Sequence, residues 1–211
     1  MKLFIDSADI SEILPLWELK IFSGIITTPI FFERLGIRNW RETIREITKQ
    51  HDIEVHVEAL GTNKEEILEE AFRNLELGNS IVSKIPINFE GIKASAELSE
   101  KGIPTNLHLI FSLNQSVLAS KTGTKYICPL IGRLNDIGAD GHGILREIVE
   151  YFRGETSFKP RVMASSIRTL EDVRQAVMAG VDAITIPPSV IRKILSHPLT
   201  DLGLLDFFKL K

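Results

Sequence analysis

The 211-residue chain has one cysteine, Cys128, two tyrosines and two tryptophans, and it lacks any run of about 18 uncharged apolar residues. A lone cysteine cannot close an internal disulfide, which makes a reducing, cytoplasmic setting the natural one; Cys128 is assigned to packing. The missing apolar run argues against a membrane-spanning helix. The start, Met1-Lys2-Leu3-Phe4-Ile5-Asp6, places a carboxylate where a secretory peptide needs its apolar core. Charge of one sign is also scarce, since 25 Lys and Arg against 28 Asp and Glu leave a net −3. No concentrated basic face is available for nucleic acid, so any anion site is local.

Against these absences stands an ordinary globular composition, 44% hydrophobic and 25% charged, long enough to bury a substantial core. Length alone allows one domain or two. Eight short runs read as strands: Lys2–Asp6, Phe22–Thr28, Ile53–Leu60, Ser80–Pro86, Thr105–Phe111, Tyr126–Gly132, Arg161–Ser166 and Asp182–Pro187. Stretches of helical spacing lie between them, such as Ile67, Leu68, Ala71, Phe72 and Leu75, or Ile144, Leu145, Ile148, Val149 and Phe152. Thr62-x-x-Glu65, Ser112-x-x-Gln115 and Thr169-x-x-Asp172 read as capping boxes, and Gly78, Gly102, Gly123 and Gly180 as left-handed helix ends. Pro15 predicts a kink or a late helix start.

Near-continuous apolar strands alternating with helices predict an α/β fold with a parallel sheet, and eight such units predict a compact (β/α)8 TIM barrel over residues 1–211. The rival, an open doubly wound sheet, lacks its glycine-rich loop after the first strand, where Asp6-Ser7-Ala8-Asp9 stands instead. Catalytic groups of such barrels sit at the C-terminal strand ends. Those ends carry Asp6, Thr27, Thr28, Glu58, Lys84, Asn106, His108, Arg133, Ser166 and Arg168.

Lys84 lies in an otherwise mostly apolar strand. Desolvation disfavours an ammonium, and the free amine attacks ketones and aldehydes to form a Schiff base. The alternative is a lysine that snorkels, or pairs with Asp6 or Glu58. Asp6 and Glu58 are candidate acid and base, or structural ion-pair partners. Arg133, Ser166 and Arg168 combine two guanidinium groups with a hydroxyl, a set suited to phosphate. His108 reads either as a proton shuttle or as a hydrogen-bonded interior histidine. His56, His142 and His197 show no metal-ligand spacing, and no metal is expected.

Across essentially the whole chain the ordered motifs resemble the small-subunit transaldolase and fructose-6-phosphate aldolase family of class I aldolases. The likeness is carried by Phe4-Ile-Asp6-Ser-Ala-Asp9-Ile, Gly24-Ile-Ile-Thr27-Thr-Pro29, Lys84-Ile-Pro86, Gly102-Ile-Pro-Thr-Asn106, Leu109-Ile-Phe111-x-x-Asn114-Gln115, Gly132-Arg133-Leu-Asn-Asp136-Ile-Gly138, Ala164-Ser-Ser166-Ile-Arg168 and His197-Pro-Leu-Thr-Asp201. The resemblance implies an imine on Lys84, Asp6 as the base in carbon–carbon cleavage, and Glu58 acting through a water. It places Asn106 on the Schiff-base substrate and Arg133, Ser166 and Arg168 on phosphate. It implies no cofactor, sugar-phosphate substrates, and a homo-oligomer of pentamers or decamers in which a C-terminal helix, about residues 200–209, reaches a neighbour.

Four positions depart from the family pattern. Ile26 replaces a threonine, Thr28 an asparagine that binds substrate hydroxyls, and His108 a threonine that holds water. Leu130 replaces a phenylalanine or tyrosine. Loss of the amide at Thr28 costs about 1–3 kcal/mol of substrate binding or redirects specificity. Glu58 with Leu130 favours a transaldolase transferring a dihydroxyacetone unit over a fructose-6-phosphate aldolase. Two readings stay beside it: a relative retuned to another sugar, and a non-catalytic sugar-phosphate binder.

Overall fold

A computed structural model describes residues 1–50, 53–155 and 159–209. Among these, strands β1 (Lys2–Asp6), β2 (Gly24–Ile26), β3 (Glu54–Glu58), β4 (Ile81–Pro86), β5 (Thr105–Ile110), β6 (Tyr126–Pro129), β7 (Arg161–Ala164) and β8 (Ala183–Ile186) close into a barrel in chain order. Every neighbouring pair is parallel, including β1 with β8. Helices connect them: α1 (Ile10–Trp17), α2 (Pro29–Arg34) with α3 (Trp40–Gln50), α4 (Lys64–Leu75), α5 (Phe89–Glu100), α6 (Leu113–Ser120), α7 (Ile131–Asp136) with α8 (Gly141–Gly154), and α9 (Leu170–Ala179). After β8 come α10 (Pro188–Leu195) and α11 (Pro198–Lys209), the latter starting two residues before the predicted tail helix.

Strand side chains alternate between two environments. Ile5, Ile25, Val55, Val57, Ile81, Ile85, Leu107, Ile127, Val162 and Ile184 face the helices in one large apolar cluster. Phe4, Ile26, Val82, Tyr126, Cys128, Met163 and Ala183 form a smaller cluster inside the barrel. At about 25 cal/mol per Å² of buried apolar surface, the outer layer supplies most of the hydrophobic driving force. The inner space can therefore hold polar groups. Gly24 makes room for one of its fillers, because a Cβ there would lie 2.9 Å from the Phe4 ring and 2.0 Å from the Glu54 carbonyl oxygen.

Several local expectations shift. The strands are mostly shorter than their apolar runs, since flanking residues such as Thr27 and Leu130 pass into the loops and helix starts above the barrel. Asn63, not Thr62, caps α4, accepting from the Glu66 backbone, while Glu66 reaches back to Thr62. Thr169 and Asp172 do form a reciprocal box on α9, and Ser112 caps α6. Gly102, Gly123 and Gly180 are left-handed, whereas Gly78 is not; it is small because a Cβ would meet Thr48 at 2.7 Å. Pro15 sits inside α1, which starts on time behind an Asp9 cap. Phe72 is exposed rather than part of the buried face of α4.

Candidate active site

The C-terminal ends of β1, β3, β4 and β5 bring the charged residues together. Glu58, Lys84 and Asn106 are successive register partners across β3, β4 and β5, so their side chains share the inner side. Lys84 is 6% exposed, which rules out a snorkelling surface lysine. Its Nζ lies 3.2 Å from Glu58 Oε1, so the expected alternative of a pairing with Glu58 is present. Asp6 ends β1 at the same mouth. Burial raises its pKa from 3.8 to about 6, against the opposing pull of Lys84 and Arg168 and with a further push from Glu58.

His108, two residues beyond Asn106 on β5, faces the same inner side by ordinary strand alternation, and an irregularity follows it. The β5–β6 register shifts between His108 and Ile110, where Leu109 adopts a left-handed φ of 59°. His108 Nε2 ends 3.4 Å from Glu58 Oε1 but makes no hydrogen bond. Burial first, then Lys84 and Arg133, hold the ring well below the usual imidazole range. It is a neutral imidazole beside the lysine–glutamate pair.

Cys128, also buried, has its thiol pushed up to about 11 by burial, which makes it a protonated packing group. Thr27 is buried with its hydroxyl donating to the His56 carbonyl at 3.2 Å, so it ties β2 to β3. Thr28 heads α2 without capping it, and its Oγ1 is buried and unpartnered. Leu130, just past β6, is buried and bridges to Ser165.

The arginine–serine cluster lies on the rim. Arg133 projects from the short helix α7, and Ser166 follows β7 with a left-handed φ of 61°. Gly132 lets these two segments meet, since a Cβ there would lie 1.9 Å from the Ser166 carbonyl oxygen. Asp172 clamps the same loop: Oδ2 accepts from the backbone N–H of Arg168 and Thr169, each at 2.9 Å, and Oδ1 from His142 at 2.7 Å. These bonds outweigh burial and hold the Asp172 carboxyl below its usual range. The Arg168 guanidinium is exposed and paired with Asp136 at 2.9 Å, a partner that sequence reasoning quoted only within a motif. Among the described residues no cluster of His, Cys, Asp and Glu could hold a metal ion.

A buried lysine in contact with a carboxylate stands at the top of a parallel eightfold barrel, the end where the catalytic groups of such barrels sit. A sequence profile of the family described as Transaldolase/Fructose-6-phosphate aldolase matches residues 3–208. The chain belongs to that family. Among its relatives, a probable transaldolase of Dictyoglomus turgidum is 40% identical over 209 residues, covering 99% of this chain and 97% of its own length. One of Nitrosopumilus maritimus is 37% identical over 209 residues, covering 99% and 94%. The transaldolase/fructose-6-phosphate aldolase family makes this an enzyme of aldolase or transaldolase type, with sugar-phosphate substrates.

Solved structures of the same fold include a putative fructose-1,6-biphosphate aldolase from Coccidioides immitis, with TM-score 0.63 and 16% identity over 95% of this chain and 81% of that one. A thiamine phosphate pyrophosphorylase from Pyrococcus furiosus shares it at TM-score 0.57 and 18% identity, over 88% and 85%. At these identities the likeness is one of fold. Among the described residues no helix is long and apolar enough to cross a membrane.

Proposed function

We propose that the chain is a transaldolase-type class I aldolase, moving a dihydroxyacetone unit from a ketose phosphate to an aldose phosphate through an imine on Lys84. The observation that carries this reading is the set of groups gathered on buried Lys84: its Nζ pairs with Glu58 Oε1, His108 Nε2 stands 3.4 Å from the same oxygen, and Asp6, its pKa raised to about 6, ends β1 at the same mouth, more than a structural ion pair needs. A buried amine beside a carboxylate has an immediate proton acceptor.

In the proposed cycle the Lys84 amine attacks the C2 carbonyl of fructose 6-phosphate. Glu58, directly or through one water, takes a proton from nitrogen and returns one to the carbinolamine hydroxyl, which leaves as water. Neutral His108 stands beside Glu58 and can share that proton. Ionised Asp6 then takes the C4 hydroxyl proton, the C3–C4 bond breaks, and glyceraldehyde 3-phosphate leaves. Its pKa of about 6 suits a base working near neutrality better than an ordinary carboxylate would. The electron pair left on C3 is delocalised into the iminium as an enamine, which attacks the acceptor aldehyde by the same steps in reverse.

Arg133, Ser166 and Arg168 would hold the phosphate of donor and acceptor alike, Arg168 exchanging its Asp136 partner for the phosphate. With Leu130 in place of a tyrosine, no aromatic hydroxyl is present there to activate water for release of free dihydroxyacetone. The acceptor therefore takes the three-carbon unit.

The test is an assay with fructose 6-phosphate, with and without erythrose 4-phosphate. The expected outcome is glyceraldehyde 3-phosphate formation only when the acceptor is present. Release of dihydroxyacetone without acceptor would make it a fructose-6-phosphate aldolase, and no product under either condition would refute the reading. The same reading makes the molecule a homo-oligomer, pentamer or decamer. Leu199, Leu202, Leu205, Phe207 and Phe208, spread round α11, are all exposed, apolar surface that a second copy would cover. A sedimentation mass of about 24 kDa would contradict it, since the chain itself is 23.7 kDa.

A further inference from the structure

His56 lies two residues before Glu58 on β3, on the same inward side. Its ring is fully buried, with Phe4 edge-on at 5.1 Å and Tyr126 tilted at 5.0 Å. Aromatic packing thus fixes the ring and leaves both nitrogens to make directed bonds. Nε2 is 2.9 Å from Glu54 Oε1, and Nδ1 is 2.9 Å from Asn106 Nδ2. Glu54 in turn meets Lys125 at 2.6 Å and Lys2 at 3.6 Å at the far end of the barrel.

The protons in this chain can be counted. Burial would raise the Glu54 pKa, but bonds from His56, Lys125 and Tyr126 outweigh it and leave the carboxyl well below its usual range. An ionised carboxylate only accepts, so the proton between the two is the Nε2–H of His56. Burial also holds His56 below the usual imidazole range despite Glu54, with Lys125 and Lys84 adding to the effect. The ring is neutral, and Nδ1 carries a lone pair. Asn106 must then turn its NH2 toward His56. The same amide nitrogen also approaches the Met163 sulfur at 3.8 Å. What remains is Oδ1, buried and accepting no hydrogen bond, on a residue that is the register partner of Lys84.

We propose that His56 is a positioning residue: by accepting from the Asn106 amide nitrogen it presents Asn106 Oδ1, rather than the NH2, to a hydroxyl of the substrate carried on Lys84. The proposal rests on the imine reading of Lys84. An orphaned buried carbonyl is unfavourable in the empty site and is relieved when a hydroxyl arrives, so the interaction discriminates between empty and occupied states. Without the imidazole lock the amide could flip and offer a donor where an acceptor is needed. Glu54 fixes the tautomer, and through it the polarity of the site is set from the opposite end of the barrel.

Two isosteric variants separate this role from simple packing. In His56→Asn the side-chain oxygen falls where Nδ1 stands; in His56→Gln the amide falls nearer Nε2. The expected result is kcat within about threefold of wild type for His56→Asn, and a loss of about tenfold or more for His56→Gln and His56→Phe. In an Asn106→Ala background, none of the three should lower kcat further, because their effect passes through Asn106. Rescue by Gln instead of Asn, or losses that multiply in the Asn106→Ala background, would overturn the proposal.

Imidazole 15N NMR of the wild-type enzyme gives a reading that needs neither a folded variant nor turnover. A neutral ring protonated on Nε2 supports the assignment, and an Nδ1–H tautomer or an imidazolium overturns it. If the wild type processes no sugar phosphate, the imine reading falls, while this spectrum still decides which end of Asn106 the ring holds.

Discussion

Replacing Asp6 by asparagine should stabilise the folded chain at neutral pH while removing turnover. The folded pKa is raised from 3.8 to about 6, with burial the largest cause. The folded state therefore binds the Asp6 proton more tightly than the unfolded state does. The resulting stabilisation is fully present below pH 3.8 and is lost as pH rises through about 6. At pH 8 the ionised, desolvated carboxylate costs about 3 kcal/mol, from about two pKa units at 1.36 kcal/mol each.

Asparagine keeps the shape and removes the titration. Urea unfolding of both proteins across the pH range should show the variant's advantage growing by about 2 kcal/mol between pH 4.5 and pH 8. The absolute offset between them depends on the new amide's hydrogen bonds, but its change with pH does not. A difference that stays flat with pH, or shrinks as pH rises, would refute the claim that the barrel mouth desolvates Asp6. Loss of turnover alongside the gain would show the carboxylate to be kept for chemistry at the expense of stability.

Other substitutions test separate parts of the account. Thr28→Asn returns an amide to a position whose hydroxyl is buried and unpartnered; KM for the ketose phosphate should fall by about tenfold, the effect of about 1–2 kcal/mol of hydrogen bonding, and steady-state kinetics reads it. Arg133→Ala should raise KM for both donor and acceptor by about 10- to 100-fold, as expected for loss of a charge-assisted phosphate contact. Gly132→Ala, whose Cβ would lie 1.9 Å from the Ser166 carbonyl oxygen, should displace the rim loop, raising KM and lowering stability by about 1–3 kcal/mol in thermal unfolding. Gly36→Ala, at another glycine, with nothing within 4 Å but a φ of +69°, should lower stability through backbone strain by about 1 kcal/mol and leave KM unchanged.

The barrel was legible because a parallel sheet buried on both faces leaves near-continuous apolar runs, and eight of them alternate with stretches of helical spacing. Ile5, Ile25, Val55, Val57 and Leu107 alternate with inward residues along strands whose outer faces all meet helices. The strand-end rule then located Lys84, Glu58 and Asp6 without reference to geometry. Less legible were features that depend on two or more chain segments meeting. The bulge at Leu109 is one, since a left-handed leucine leaves no signature in composition. The Asp172 clamp is another: Thr169 and Asp172 read as a helix cap, but nothing local shows that the same carboxylate also takes the Arg168 N–H and His142.

Nothing local in the sequence marks His56 for this role: it shows no metal-ligand spacing and no motif of its own. Its partner Glu54 shares its strand face two positions away, while Asn106, 50 positions away, is brought beside it by the register of β3, β4 and β5. Arg168 illustrates the converse case. Its place beside the mouth was expected, but its pairing with Asp136 across the rim was not; in the proposed function a phosphate would displace this exposed ion pair, a contact worth at most about 1 kcal/mol and so little hindrance to binding.

The central claim is the imine on Lys84, and borohydride trapping measures it directly. The protein is incubated with fructose 6-phosphate, reduced, and weighed intact, and the modified peptide is then located by fragmentation. The account expects one dihydroxyacetone-sized adduct per chain, placed on Lys84 and abolished by Lys84→Met. An adduct on another lysine, or none with any ketose phosphate or dihydroxyacetone, would contradict it.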